Sequence, residues 1–458
     1  MTLEVVILAA GKGTRMRSET PKVLHCLGGA PLLQHVLDSV RSLTPDKIHV
    51  VYGHGGDRLH DLPGTEDVNW VLQSEQLGTG HALMVAMADV GDTSRVLVLY
   101  GDVPLIRSHT LARMLDSAGG SALTMLTVDL ERPAGYGRIL RGANQCVVGI
   151  VEEQDASADE KTITEVNTGL ISAPAERFKQ WLTRLQADNA QGEYYLTDVI
   201  ALAVADGVAV VDYQPDHKFE ILGVNSRSDL ARLERIYQRA RAETFMEQGV
   251  TILDPDRFDA RGVVEIGLDS VIDVNVVLEG PLKVGARARI GPNTIISRAT
   301  LDADVVVRAN CVIDQAEIGK GAQIGPFSRI RPGTKLATDV HIGNFVEIKN
   351  SSLEAGSKAN HLSYIGDSTL GRGVNVGAGV ITCNYDGANK HHTDIGDDVF
   401  VGSNSQLVAP VRIGNGATIG AGSTITEDVP KGALALTRAA QRIIEGWRRP
   451  RKKSKNDR

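Results

Sequence analysis

Two stretches of this sequence hold residue types that could do chemistry. The first is Gly11-Lys12-Gly13-Thr14-Arg15-Met16, with Lys22 shortly after and Asp102 in a Tyr100-Gly101-Asp102 turn. Glycine-rich backbone can approach a phosphate closely, and Lys12, Arg15 and Lys22 flank it with positive charge. That combination suits a triphosphate whose departing pyrophosphate must be neutralised. A dinucleotide fingerprint would need glycine where Met16 stands, and the GxxxxGK[ST] loop of nucleoside triphosphatases is absent. The second stretch is His361-Leu362-Ser363-Tyr364, followed by the polar run 382–392. A neutral histidine can take a proton near pH 7, as attack of an amine on a thioester requires. Each has a plainer alternative: a turn-capping aspartate, a structural histidine, a tolerated insertion.

The elements that must position these residues differ between the two halves. Residues 3–10 form an apolar, β-branched run of strand length that feeds directly into the glycine loop. Further strands are expected at 47–52, 69–73 and 95–100, with helical spacing at 32–43 and 80–89. Alternation of this kind predicts a mostly parallel, doubly wound Rossmann-like sheet, with ligands beyond the carboxyl ends of its strands. The loop 11–16 and the turn at Asp102 both lie at such ends.

From about 266 to 425 the pattern changes to a six-residue beat. Ile266, Ile272, Leu278, Val284, Ile290 and Ile296 keep time, then Val312, Ile318, Ile324, Ile330, Leu336, Ile342 and Ile348, then Ile395, Val401, Leu407, Ile413, Ile419 and Ile425. Glycine follows directly at many of these, including Gly267, Gly285, Gly402 and Gly414. Steps of six scatter residues around an α-helix but keep to one face of a strand. The sequence therefore predicts a parallel β-helix of hexapeptide repeats, with the glycines expected to take turn conformations at its corners. The beat is expected to be disturbed around His361 and again between Val376 and Ile395, where functional loops would leave the solenoid.

Composition excludes several classes. Net charge is −7, and the tail from Arg448 carries seven Lys/Arg against one Asp, a surplus of six that leaves −13 for the rest. An acidic body argues against broad nucleic-acid binding, and the tail reads as a solvated end. Cys26, Cys146, Cys311 and Cys383 are far apart and form no CxxC pair, which suits a reducing, cytoplasmic setting without a disulfide framework or structural zinc. No signal peptide, membrane span or integral membrane contact is expected.

The first half resembles the sugar-nucleotidyltransferases. The residues that carry the resemblance are Leu8 to Met16, Pro21-Lys22-Val23-Leu24, Gln73, Gln76 to Ala82, Tyr100-Gly101-Asp102, Gly137, Glu152-Glu153, Asn167-Thr168-Gly169 and Gly223-Val224-Asn225. It implies attack of a sugar-1-phosphate on the α-phosphorus of UTP, with pyrophosphate leaving. Leu8, Ala9, Ala10, Gly11, Tyr100 and Gly101 would line the nucleotide site, with Arg15 and Lys22 on the phosphates as catalytic cations. Gln73 and Gly78-Thr79 would read uracil, and Gly137, Glu152 and Asn167 would hold an N-acetyl sugar. The resemblance gives Asp102 and Asn225 as the two magnesium ligands.

The second half is similar to the left-handed β-helix of hexapeptide acyltransferases, which implies coils of 18 residues. Arg331 and Lys349 are 18 apart, as are Ser403 and Ala421, so each pair should stack on neighbouring coils. The halves together resemble the bacterial bifunctional family that joins an N-acetylglucosamine-1-phosphate uridyltransferase to a glucosamine-1-phosphate acetyltransferase. That resemblance implies His361 as general base for the amine of glucosamine-1-phosphate. Arg331 and Lys349 would hold its phosphate, and Tyr364 and Asn375 its sugar. Ala378, Asn384, Tyr385, Ser403, Ala421 and Arg438 would line the acetyl-CoA site. It also implies homotrimers with this site between subunits, and supply of UDP-N-acetylglucosamine for peptidoglycan and, where present, lipopolysaccharide.

The domains expected are 1–227 for the uridyltransferase, 228–248 for a helical linker capped by Ser228 or Asp229 and stopped by Gly249, and 249–458 for the acetyltransferase, its basic tail beginning near 446. Two rival readings remain at this point. One is a single-activity nucleotidyltransferase whose β-helix only oligomerises or binds an effector. The other is a sugar-nucleotide-binding regulator without turnover.

Overall fold

The structure is a computed structural model that describes residues 2–53, 56–117 and 119–450. Of the basic tail, 451–458 lie outside the described residues. The chain divides into two compact units, Met1–Arg241 and Ala242–Arg458.

The first unit is built on a nine-stranded sheet. The run Leu3–Leu8 is a central strand with every residue from Glu4 to Leu8 buried, as a strand covered on both faces requires. It pairs in parallel with Lys47–Tyr52 on one side and Arg95–Tyr100 on the other. Val68–Leu72 extends the sheet in parallel beyond Lys47–Tyr52. Glu165–Pro174 departs from the parallel pattern, running antiparallel against both Arg95–Tyr100 and Leu123–Asp129. Helices Leu32–Arg41 and Thr79–Ala86 fall where helical spacing placed them, on opposite sides of the sheet: the first packs with Val5 and Ile7, the second with Val6 and Leu8. Period-two alternation along Leu3–Leu8 thus separates two apolar layers.

The expected linker is a helix, Arg227–Glu247. Its start is not capped by Ser228. Ser226 Oγ accepts from the Asp229 amide at 3.2 Å while Asp229 Oδ2 accepts from the Ser226 amide at 2.8 Å, a reciprocal box that satisfies the first free amides. Asp229 therefore serves three residues after the cap, and Gly249, at φ 88, follows the last turn as expected. Along the helix, Leu233 packs with Met16, Leu27, Leu32 and Val224, and Glu234 Oε2 accepts from the Gly28 amide at 2.8 Å.

The second unit is a parallel β-helix of three sheets, with 11, 10 and 9 strands. Each strand contributes two to four residues, and the six-residue beat supplies its inward side chains: Ile266, Ile272, Leu278, Val284, Ile290 and Ile296 all lie in one continuous core. Coil length is not a constant 18. Ile272 pairs with Ile290, 18 residues on, but Ile290 pairs with Val307, 17 on. The missing residue is always lost at one corner. Ile296 to Leu301, Ile313 to Ile318, Ile348 to Leu353 and Ile365 to Leu370 are inward residues only five apart, and the corner residues between them, Arg298, Gln315, Asn350 and Asp367, take left-handed φ of 47, 47, 45 and 48°.

This geometry corrects three sequence expectations. Val312 is exposed and its neighbour Ile313 is the inward residue, because the beat had already slipped by one at Leu301. The stretch around His361 is not disturbed: Leu353, Ala359, Ile365, Leu370 and Val376 continue the core through it. Only the second interruption is a true excursion, since Val376 pairs with Val401, 25 residues on.

The third correction concerns the glycines. At Gly267, Gly285, Gly402 and Gly414 φ is not left-handed. What requires glycine there is close approach: a Cβ would sit 2.5 Å from the backbone nitrogen of Ala286, Ala303, Ala421 and Lys431, one coil along. The left-handed corner falls two residues later, at Asp269, Arg287, Asn404 and Gly416. Asn and Asp tolerate that conformation best among non-glycine residues.

No helix among the described residues is long and apolar enough to cross a membrane.

Candidate active sites

In the first unit the carboxyl ends of Leu3–Leu8 and Arg95–Tyr100 open into two adjoining cavities of about 440 and 1030 Å³, which share Thr79, Tyr100 and Asp102. Leu8, Ala9, Ala10, Gly11, Lys22, Gln73 and Gly78 line the smaller one. Arg15, Gly137, Glu152, Asn167 and Asn225 line the larger. Of the residues expected here only Gly101 lines neither; a Cβ on it would press on Ala9, Val23 and Leu33, so its part is to keep the turn against the sheet.

Where the cavities meet, four polar side chains converge. Arg15 Nη2 donates to Asn225 Oδ1 at 2.9 Å, Lys22 Nζ lies 3.4 Å from the same oxygen, and Lys22 pairs closely with Asp102 Oδ2. The two oxygens expected to hold magnesium therefore converge on one cation, the Lys22 ammonium. One carboxylate and one amide oxygen facing a phosphate site suit an ion that keeps several waters, so these residues fit magnesium.

Gln73 is buried beneath the smaller cavity, its amide donating to Gly78 O at 3.2 Å with His81 Nδ1 3.0 Å away. Gly78, at φ 107, is pressed against the backbone of Tyr194. In the larger cavity Asn167 Oδ1 accepts from the Gly169 amide at 3.0 Å. Gly169 lies so close under Tyr100 that a Cβ would be 2.3 Å from its ring. Burial pushes the Tyr100 hydroxyl well above the ordinary tyrosine range, so it stays a neutral donor.

Glu152 accepts from Thr197 Oγ at 2.9 Å, and burial raises its carboxyl above the usual range. Asp198, the next residue along, is pushed up to about 6, by burial first and then by the charges of Glu152, Asp188 and Asp155. Neither Thr197 nor Asp198 was among the expected site residues, and no local motif marks them. Gln76, whose side chain donates to Ala10 O at 2.6 Å, was quoted in the motif but not as a site residue.

In the second unit the expected acetyl-CoA residues form a column along the coils. The Gly379 amide donates to His361 O at 3.4 Å, the Asn404 amide to Ala378 O at 2.7 Å, and the Gly422 amide to Ser403 O at 2.8 Å. These bonds stack His361, Ala378, Ser403 and Ala421 one coil after another. Arg438 Nε donates to Ala421 O at 3.0 Å and closes the far end. The near end holds the exposed His361, beside Asn344 on the preceding coil.

Around the corner, past Leu362, lie the residues expected to hold the sugar phosphate. Arg329 and Ile330 pair with Glu347 and Ile348, which brings Arg331 and Lys349 to adjoining coils. Tyr364 follows on the next coil, paired with Glu347. Arg331 Nη1 is ion-paired to Glu347 Oε1 at 2.7 Å. Asn375 lies back on the sheet that carries His361, paired with Lys358.

The excursion 384–392 adds a cation that the motif had not singled out. Lys390 comes against Lys349, and that neighbouring ammonium holds Lys390 below the usual lysine range, an effect opposed by Asp367 and Tyr364. Two ammonium groups drawn together signal an anion site. Tyr385 is exposed, its hydroxyl donating to Gly387 O at 2.6 Å, while Asn384 is buried.

An α/β nucleotidyltransferase unit joined to a hexapeptide-repeat transferase unit is the class that this fold and these sites define. The MobA-like NTP transferase domain model matches residues 5–252, and the bacterial transferase hexapeptide (six repeats) model matches 315–350 and 392–427. "Bifunctional protein GlmU" of Alkalilimnicola ehrlichii is 56% identical over 448 residues, covering 98% of this chain and 96% of that protein. The proteins of the same name from Ralstonia nicotianae and Stutzerimonas stutzeri are 53% and 54% identical, each covering 99% of this chain and 100% of the relative. The chain belongs to the GlmU family of bifunctional proteins. It is a two-activity transferase of UDP-N-acetylglucosamine synthesis, pairing an acetyl transfer with a uridylyl transfer on small-molecule substrates.

Proposed function

We propose that the two steps run in sequence through the two sites, with the residues acting as follows. In the repeat unit the amine of glucosamine-1-phosphate attacks the thioester carbonyl of acetyl-CoA. A C–N bond forms, the C–S bond breaks, His361 takes the proton from the amine and coenzyme A leaves as the thiol. Arg331, Lys349 and Lys390 hold the sugar phosphate; Tyr364 and Asn375 hold the sugar. The pantetheine arm lies along Ala378, Ser403 and Ala421, with Asn384, Tyr385 and Arg438 about the coenzyme.

In the α/β unit a phosphate oxygen of N-acetylglucosamine-1-phosphate attacks the α-phosphorus of UTP in line, and pyrophosphate leaves. Arg15 and Lys22 neutralise the phosphates, Gln73, Gly78 and Thr79 face the uracil, and Gly137, Glu152 and Asn167 face the N-acetyl sugar. Magnesium held by Asp102 and Asn225 would supply charge neutralisation between phosphate oxygens.

The single observation that carries this reading is the column His361–Ala378–Ser403–Ala421, which sets a proton acceptor at the foot of a track the length of an extended thiol arm. The assembly is a cytoplasmic homotrimer. Support for the subunit contact comes from an exposed apolar ladder beside His361, in which Phe327 and Phe345 stack at 5.3 Å with Leu362 next along the corner. The test is paired on the full chain: thiol release from acetyl-CoA with glucosamine-1-phosphate, and pyrophosphate release from UTP with N-acetylglucosamine-1-phosphate. Absence of the first leaves the β-helix a scaffold, and absence of both leaves a binding protein.

A further inference from the structure

The excursion 384–392 is held at both ends by one residue. Asp367 is 7% exposed and occupies a left-handed corner. Its Oδ1 accepts from Asn350 Nδ2 at 2.6 Å, and its Oδ2 accepts from Asn384 Nδ2, where the excursion begins. Its carbonyl accepts from the Thr393 amide at 3.2 Å, where the excursion returns, and its own amide donates to Lys349 O at 3.0 Å. The two side-chain donors are neutral amides, so the carboxylate keeps its charge, held below the usual range against burial by Asn350, Asn384, Lys349 and Lys390.

The corner itself does not require a carboxylate. The preceding coils turn at the same place with Gln315, Gly333 and Asn350, all left-handed. What is particular to Asp367 is that the next coil leaves the solenoid there. Residues 384–392 form few backbone bonds of their own, among them His391 N to Asn384 O at 2.9 Å and Asp386 N to Asn389 O at 3.1 Å. Without an anchor this segment would close on itself but sit loosely over the sugar-phosphate cations.

We propose that Asp367 is a positioning residue that clips the excursion to the coil below it, fixing Asn384 and Lys390 relative to Lys349 and so joining the acetyl-CoA and sugar-phosphate halves of the second site. The proposal rests on the reading of that site given above. Asp367 touches neither substrate; it acts through Asn384 and Lys390.

The experiment uses the full chain and the variant Asp367→Asn, which keeps the volume but turns one oxygen into a donor facing another donor. Amide hydrogen exchange at Asp386 and His391 is expected to quicken about tenfold, as loss of a charged hydrogen bond predicts. The KM for acetyl-CoA is expected to rise about tenfold while pyrophosphate release stays at the wild-type rate. The double variant Asp367→Asn/Asn384→Asp exchanges donor and acceptor, and should restore the exchange protection. Should Asp367→Asn fail to fold, Asn384→Ala removes the clip from its other side and should give the same exchange. Unchanged exchange in the folded variant, or no recovery in the double variant, overturns the proposal. A wild-type chain that releases no thiol fails the reading of the site instead, and the exchange result still decides the clip.

Discussion

The backbone amide of Gly379 donates to the carbonyl of His361 across one coil, and this bond places the histidine at the foot of the column that runs through Ser403 to Ala421. The histidine and the coenzyme track are thus fixed by the same ladder of hydrogen bonds. The nucleotidyl site, at the mouth of a separate sheet, shares none of them. Independent chemistry at the two sites is the direct consequence.

A crossed pair of variants reads that independence. Asp102→Ala should lower pyrophosphate release by 10³-fold or more, the scale for removing a group that organises transition-state charge, and leave thiol release unchanged. His361→Ala should lower thiol release by about 10²–10⁴-fold and leave pyrophosphate release unchanged. Either substitution abolishing both activities in a folded chain would defeat the two-site reading.

Lys390 should behave as part of the anion site. Lys390→Met is expected to raise the KM for glucosamine-1-phosphate about tenfold, with a smaller effect on the KM for acetyl-CoA. Initial-rate measurements varying each substrate in turn would show the split. Equal changes in both constants would mean that Lys390 supports the excursion as a whole.

Gly169 bears on the shape of the first site. Gly169→Ala puts a methyl where the Tyr100 ring lies, in a backbone conformation unfavourable to alanine by about 1–2 kcal/mol. Uridylyl transfer should fall at least tenfold with thiol release untouched. Full uridylyl activity would show that the Tyr100 ring can move without consequence.

Asp198 gives a pH dependence whose sign can be stated. Its folded value near 6 lies above the model value of 3.8, so the folded state holds its proton more tightly than the unfolded chain. This group therefore costs nothing below about pH 4, and its cost grows as pH rises through 6. Asp198→Asn should leave the α/β unit as stable as wild type near pH 4. At pH 8 it should be more stable by roughly 1–2 kcal/mol, after discounting for partial exposure. Denaturant unfolding of that unit at the two pH values measures it, and no gain at pH 8 would count against a raised carboxyl.

Two glycine substitutions separate close approach from backbone conformation. Gly285→Ala drives a methyl into the Asp302–Ala303 backbone and should destabilise the repeat unit by about 1–3 kcal/mol or more. Gly416→Asn, at an open left-handed corner like that of Asn404, should cost less than about 1 kcal/mol. Thermal unfolding of the repeat unit compares them, and reversed ranks would refute the packing account.

Much of this was legible in the sequence because it is written in short-range pattern. The run from Leu3 to Leu8 and the beat from Ile266 to Ile296 announce a buried strand and a solenoid by periodicity alone. The slip at Val312 was not legible, since a five-residue side leaves Val312 and Ile313 equally apolar and only the corner at Arg298 decides between them. The glycines were noticed for the wrong reason: a residue with no Cβ looks the same whether it frees φ or admits a neighbour. Thr197, Asp198 and Lys390 carried no pattern, because distant segments bring them to their sites. Asp367 was invisible for a further reason, that its partners Asn350 and Asn384 are meaningful only once coil length is known.

The eight extra residues of the coil from Val376 to Val401 leave the pairing on either side intact: Leu370 still meets Ile395, and Val401 meets Ile419. In a solenoid each coil answers only to its neighbours. The segment 384–392 can therefore grow, shrink or change sequence without displacing any strand, provided its two ends remain attached. A new coenzyme or acceptor specificity could be acquired there by insertion, with the remainder of the barrel left as it was.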